Sequence, residues 1–119
     1  MIGRWATYGE GVAGRNGSLG EVGTLILTAL ADTDRHGYAI MAEVAELSDG
    51  RVTLGTGTLY GALERLLDAG LVVAAREERV DGRLRRYYHL TQQGHGALVA
   101  ELDQREALTR SARRRLAGA

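Results

Sequence analysis

The stretch LVVAAREERVDGRLRRYYHL, residues 71–90, decides the fold. Asp81-Gly82 stands at its middle, and this dipeptide is a strong signal for a two-residue hairpin, because both central positions of such a turn take a positive φ. The flanking residues 71–79 and 84–90 read as strands. With Asp81 and Gly82 as the central pair, Val80 faces Arg83, and counting outward sets Glu77 opposite Arg86 and Glu78 opposite Arg85. Opposite-charge cross-strand pairs of this kind contribute about 0.2–1 kcal/mol each. The same register places Val73, Tyr88 and Leu90 on one face, the expected core side, and Tyr87 and His89 on the other.

Upstream of the hairpin the apolar period is helical. Leu19, Val22, Leu25, Ile26, Ala29 and Leu30 recur at three- and four-residue steps. Ser18 with Glu21 has the spacing of a capping box for that first helix, which Asp32-Thr33-Asp34 ends. A second helix is expected over about 37–47, with Ile40, Met41, Val44 and Leu47 inward, stopping before Ser48-Asp49-Gly50. A third is expected over about 56–69, burying Leu59, Leu63, Leu66 and Leu67, with Gly70 as its C-cap.

Downstream, Thr91 opens a segment with no strong breaker until Gly118 apart from Gly94 and Gly96 in its first turns. A helix of about 25 residues is about 37 Å long, more than a three-helix core can cover. Its seam, Leu98, Leu102, Arg105, Thr109, Ala112 and Leu116, with Leu108 flanking it, is too imperfect for a free-standing coiled coil and adequate for a dimer contact. Arg110, Arg113, Arg114 and Arg115 complement the dipole at its C-terminal end or supply an extra phosphate contact. Residues 1–18 hold five glycines without a period and read as a flexible arm. Residues 19–90 then form one folded unit, and 91–119 the long terminal helix.

Composition narrows the chemistry. The chain has 119 residues, 45% hydrophobic and 25% charged, which suits one modest globular domain. Zero cysteines exclude disulfides, iron–sulfur clusters and thiol catalysis. All fifteen basic residues are Arg and fifteen acids balance them, so any polyanion must be gripped by local patches. Residues 1–50 sum to −4, while residues 51–90 and 91–119 each sum to +2. No apolar run approaches the roughly 18 residues of a membrane span, and the start lacks a signal-peptide pattern, so a cytoplasmic location without membrane association is expected.

Three helices followed by a hairpin is the winged helix-turn-helix arrangement, in which the third helix enters the major groove of DNA and the hairpin wing reaches phosphate. The fold class expected is therefore mainly α with a small β hairpin, plus the long C-terminal helix. The third helix begins Gly55-Thr56-Gly57-Thr58-Leu59-Tyr60-Gly61. Small residues there, Thr56 and Thr58 among them, let backbone amides approach phosphate. Tyr60 and Arg65 fall on or near the outer face, within reach of phosphates or base edges. Glu64 and Asp68 share that side and are unwelcome near DNA; they lie beside the groove or pair with Arg65. On the hairpin, Arg83, Arg85 and Arg86 concentrate positive charge beside the turn.

Taken in order, His36-Gly37-Tyr38, Gly57-Thr58-Leu59-Tyr60, Leu63-Glu64-Arg65-Leu66, Ala69-Gly70-Leu71-Val72 and Asp81 through Thr91 closely resemble the PadR family of bacterial transcriptional regulators, over about residues 19–98. The resemblance implies a homodimeric winged-helix regulator, usually a repressor, that leaves an inverted-repeat operator in double-stranded DNA when a small molecule binds. It implies that the helix beginning near Thr56 is the recognition helix, that Tyr38 packs between helices and touches the DNA backbone, and that Arg86 and Tyr88 belong to the wing, Tyr88 as core. It also implies that the terminal helix, through Leu98, Leu102, Leu108, Ala112 and Leu116, dimerises. Gly55, Thr56 and Gly61 depart from the Ser-Pro and Pro that members often carry around Gly-Thr-Leu-Tyr. Residues 92–119 contain no Trp, Tyr or Phe, which leaves Trp5 and Tyr8 as the spare aromatics for an effector site.

An enzyme fits poorly, and neither cofactor, metal nor catalytic residue is expected. Tyr60 stands where a G-x-G-x-x-G loop needs its last glycine, and a chain without Lys has no phosphate-binding G-x-x-x-x-G-K-[ST]. His36, His89 and His95 lack the spacing of metal ligands. The remaining alternative, supported by the balanced net charge, is a winged helix that binds protein without binding DNA.

Overall fold

The computed structural model describes residues 19–118. In chain order the elements are α1 (Gly20–Ala29), β1 (Arg35–His36), α2 (Gly37–Leu47), α3 (Thr56–Asp68), β2 (Val72–Val80), β3 (Arg83–Leu90) and α4 (Gln92–Gly118). The sheet is antiparallel in the order β1-β3-β2. The third strand, only two residues long, extends the expected hairpin. Leu19, Ile26, Leu27, Ile40, Val44, Leu59, Leu63, Leu66 and Leu71 are all but inaccessible and form the core that joins α1, α2 and α3.

Each helix boundary has a local cause. Leu19 is the N-cap of α1, and no side chain caps that helix locally. Instead the Leu19 N–H donates to Glu101 Oε1 of α4 at 3.2 Å. Ser18 of the expected capping box lies outside the described residues, and the Glu21 carboxylate accepts from Arg105. His36 caps α2, its Nδ1 accepting from the Ala39 N–H. That helix ends at Ser48, whose buried hydroxyl donates to the Val44 carbonyl at 2.9 Å and accepts from the Val52 N–H at 3.0 Å. Ser48 thereby occupies the inward position expected of Leu47, which is 42% exposed. Past α3, Gly70 has φ +80° and its N–H donates to the Leu67 carbonyl, while the Leu71 N–H donates to the Leu66 carbonyl. This pair of bonds is the Schellman stop, and it turns the chain directly into β2. Leu67 is only partly buried beside it.

The hairpin turns at Asp81 and Gly82, both at positive φ, with the expected pairs Val80↔Arg83, Glu78↔Arg85 and Glu77↔Arg86. Toward the base of the hairpin the register shifts by one residue between Ala74 and Arg76. An extra residue in one strand moves every later side chain to the opposite face. Val72, not Val73, therefore faces Leu90 and enters the core, and Val73 is 46% exposed. Tyr88 is buried as expected.

Thr91 joins sheet to terminal helix: its hydroxyl donates to the Gly70 carbonyl at 2.7 Å and accepts from the Gly94 N–H at 2.9 Å. Gly94 lies so close to the Leu71 carbonyl that no side chain fits there. The first turns of α4 are thus docked on the start of β2, and Ala97, Leu98 and Glu101 are buried. Two members of the expected seam serve the chain's own fold. Leu98 is covered by the core, and Arg105 turns back onto α1, with Nε 3.1 Å from Glu101 and Nη2 3.0 Å from Glu21.

Candidate nucleic-acid interface

The start of α3 is open. Gly55 is its N-cap and supplies no capping side chain, so among the described residues no side chain caps the first backbone N–H groups. Thr56, Gly57 and Thr58 are exposed, and no atom of the described residues lies within 4 Å of where a side chain at Gly55 or Gly57 would begin. The positive end of the helix dipole is therefore accessible to an anion. With Leu59, Ala62, Leu63 and Leu66 buried, the outer face carries Gly57, Tyr60, Gly61 and Glu64.

Tyr60 is both exposed and held. Its ring lies over Gly37 at the start of α2, where an added methyl would collide with the phenol oxygen and stand 2.9 Å from Cζ. Only a residue without a side chain lets α2 and α3 approach in this way. Tyr38 is 61% exposed on the next position. His36, Gly37, Tyr38, Tyr60 and the residues from Arg83 to Arg86 line a cleft of about 120 Å³ between the helix pair and the wing. Burial, and then the charge of Arg85, lower the His36 pKa against an opposing pull from Glu78, which favours the neutral ring whose Nδ1 accepts at the helix start. Burial pushes the Tyr88 phenol up, with Tyr60 adding to the rise and Arg86 opposing it. Tyr88 is a core residue and not a surface contact.

On the wing the arginines divide into two sorts. Arg86 donates through Nε and Nη2 to Glu77 Oε2 at 3.3 and 3.1 Å. Glu78, aligned with Arg85, instead accepts from the Tyr87 hydroxyl at 3.0 Å. Among the described residues Arg79, Arg83 and Arg85 have no ion pair, so they are the cations of the wing that no carboxylate occupies. Arg76, farther from the turn, stacks on Tyr87 at 3.9 Å and pairs with Asp34.

Arg65 is placed differently from the other candidates. It is partly buried at the flank of α3 beside residues 19–23 of the first helix and Ala62, and its Nε has no hydrogen-bond partner among the described residues. Glu64, which could have paired with it, is exposed and makes no ion pair or hydrogen bond among the described residues. The expected contacts Tyr38, Thr56, Thr58, Tyr60, Arg83 and Arg85 are all solvent-accessible, and Arg86 is accessible but engaged. Trp5 and Tyr8 lie outside the described residues. The sequence does not single out Gly37 as a constraint, although it stands in the His36-Gly37-Tyr38 string that helps carry the family resemblance.

Comparison with known proteins agrees with this geometry. The model of the transcriptional regulator PadR-like family matches residues 26–100. A transcriptional regulator of Mycobacterium tuberculosis is 42% identical over 94 residues, covering 78% of this chain and 80% of that protein. A 37.1 kDa protein from a Streptomyces fradiae transposon is 47% identical over 77 residues, 65% of this chain, which spans only 21% of that protein's length. Among solved structures, PadR of Bacillus subtilis in complex with operator DNA superposes with a TM-score of 0.59 at 24% identity, over 66% of this chain and 45% of that one. The order of helices and wing, the length of the family match and the identity to the mycobacterial regulator agree: this chain belongs to the PadR-like family of transcriptional regulators.

Proposed function

We propose that the protein is a sequence-specific DNA-binding regulator that acts as a homodimeric repressor and releases its operator on binding a small molecule. The observation that carries the DNA-binding reading is the shared exposure of two features: the uncapped, side-chain-poor start of α3 and the unpaired arginines Arg83 and Arg85 of the wing. The first suits entry into a major groove, and the second suits neutralisation of phosphate. Tyr38, Thr56, Thr58 and Tyr60 surround the helix start, and Arg86 is an auxiliary cation because Glu77 already balances it.

Dimerisation rests on α4. Past Arg105 this helix outruns its own domain, and Leu108, Ala112 and Leu116 continue the stripe of Leu98 and Arg105 into solvent, with Leu108 70% and Leu116 74% exposed. Leu102, 43% exposed, flanks that stripe. A second copy of the same helix is the partner that would cover these side chains in a two-fold arrangement. For the effector, a cleft of about 670 Å³ opens where the turn after α1 meets the start of α4, lined by Asp32, Asp34, Arg76, His89, Gln92 and His95 among others. Its lining is polar and open to solvent, which suits a polar small molecule over an apolar one.

Selection of bound duplexes from a random pool tests the proposal. An inverted repeat among the recovered sequences supports both DNA reading and two-fold symmetry. Recovery of random sequence, together with retention of a protein partner, would favour the protein-binding alternative.

A further inference from the structure

The row of α3 residues at i, i+3, i+4 and i+7 that a helix presents to a groove is Gly57, Tyr60, Gly61 and Glu64. Two of the four have no side chain. Nothing approaches within 4 Å of the missing Cβ of Gly57, and at Gly61 only Arg65 Nη1 does so, at 3.8 Å. Tyr60 leans away from the row toward Gly37. Glu64 is then the one carboxylate in this row, exposed and without an ion pair or hydrogen bond among the described residues. Its neighbour Arg65 is drawn off beside residues 19–23 and does not neutralise it.

A bare carboxylate pressed toward DNA meets repulsion from phosphate unless a base donor receives it. In the major groove the donors are the amino groups of cytosine and adenine. Adenine sets its N7 acceptor beside its amino group, which repels a second lone pair, whereas cytosine offers N4–H without an adjacent acceptor on the same base. From Gly57 to Glu64 the helix rises about 10 Å, roughly three base-pair steps. The two glycines let the helix axis sit deep enough for a side chain of this length to reach a base edge.

We infer that Glu64 is a specificity-determining residue of the DNA interface, its carboxylate accepting a hydrogen bond from the N4 amino group of a cytosine in each half-site. This inference rests on the DNA-binding reading given above. It turns an acid that opposes non-specific binding into a discriminator, because guanine and thymine present only acceptors there and adenine sets its N7 lone pair beside its donor.

The test uses the full chain as wild type, Glu64→Ala and Glu64→Gln, each selected against the same random duplex pool and then titrated with the wild-type operator and its cytosine variants. Wild type should fix cytosine at one position per half-site and bind the other three bases there about tenfold more weakly. E64A should lose preference at that position alone. E64Q should move it toward adenine, whose N6 and N7 match a carboxamide. A wild-type motif that E64A and E64Q both reproduce at every position would overturn the inference and leave the DNA-binding reading intact. Failure of the wild type to enrich any motif would overturn that reading itself. The side chain is exposed, and far-UV circular dichroism of both variants checks that the helices persist.

Discussion

Truncating Glu101 to alanine tests how the terminal helix is held on the core that α1, α2 and α3 form. Glu101 is 8% exposed and does two things: Oε1 accepts the Leu19 N–H at 3.2 Å and Oε2 accepts Arg105 Nε at 3.1 Å. Leu19 is fully buried, so E101A leaves its N–H without a partner, at a cost of about 1–3 kcal/mol. The lost pairing with Arg105 adds less than about 1 kcal/mol, because that side chain is 41% exposed and solvent screens it. The sum is about 1–4 kcal/mol, a large part of the 5–15 kcal/mol typical of a domain. Glu101→Gln keeps an acceptor for Leu19 and should cost about 1 kcal/mol or less. Arg105→Ala should also stay near that value. Urea unfolding at one fixed protein concentration measures all three, fixed because self-association shifts apparent stability. An E101A variant within about 0.5 kcal/mol of wild type would refute the reasoning. So would an E101Q variant as unstable as E101A, since the charge and not the acceptor would then carry the effect.

Three further outcomes are expected. Gly37→Ala should push the Tyr60 ring off α2, destabilise the protein by about 1–3 kcal/mol and weaken operator binding. Adding Tyr60→Phe should restore part of the lost stability by removing the colliding oxygen, which a double-mutant cycle reads. Because the folded His36 pKa is depressed, the unfolded chain takes up a proton that the folded one resists. Stability should therefore fall as pH drops below the ordinary histidine value of about 6.5. His36→Asn, which retains a capping acceptor, should flatten that decline, as followed by thermal melts from pH 7.5 to 5. Leu108→Glu with Leu116→Glu should convert the proposed dimer to monomer in sedimentation without changing far-UV circular dichroism per residue; a dimer that survives both charges would move the proposed interface elsewhere.

Much of the fold was legible because its punctuation is chemically unambiguous. Asp81-Gly82 set the turn and Gly70 the end of α3, and the outer wing register followed by counting. The base of the hairpin was not legible, since residues 71–75 are Leu, Val, Val, Ala and Ala. An unbroken apolar run has no alternation to reveal which residue bulges, so Val73 was assigned the place of Val72. Strand β1 is two residues long and has no period to detect. In the candidate site, periodicity gave the outer face of α3 and the arginines beside the turn. It could not say that Arg65 bends toward the first helix, that Glu77 engages Arg86 while Glu78 leaves Arg85 free, or that Tyr60 requires a glycine at position 37. Each depends on side-chain direction and on contacts between residues distant in sequence. For the same reason Leu98 and Arg105 belong by spacing to the seam expected for a dimer, and by packing to the chain's own fold.

The salt dependence of binding to a selected duplex tests the central claim most directly. Phosphate neutralisation by the wing makes log K fall linearly with log salt, with a slope of about 0.9 per phosphate contacted. Arg83→Ala and Arg85→Ala should each reduce that slope by close to one contact and weaken binding to specific and random duplexes alike, with Arg86→Ala doing less. Binding that is insensitive to salt, or slopes unchanged in R83A and R85A, would contradict the account.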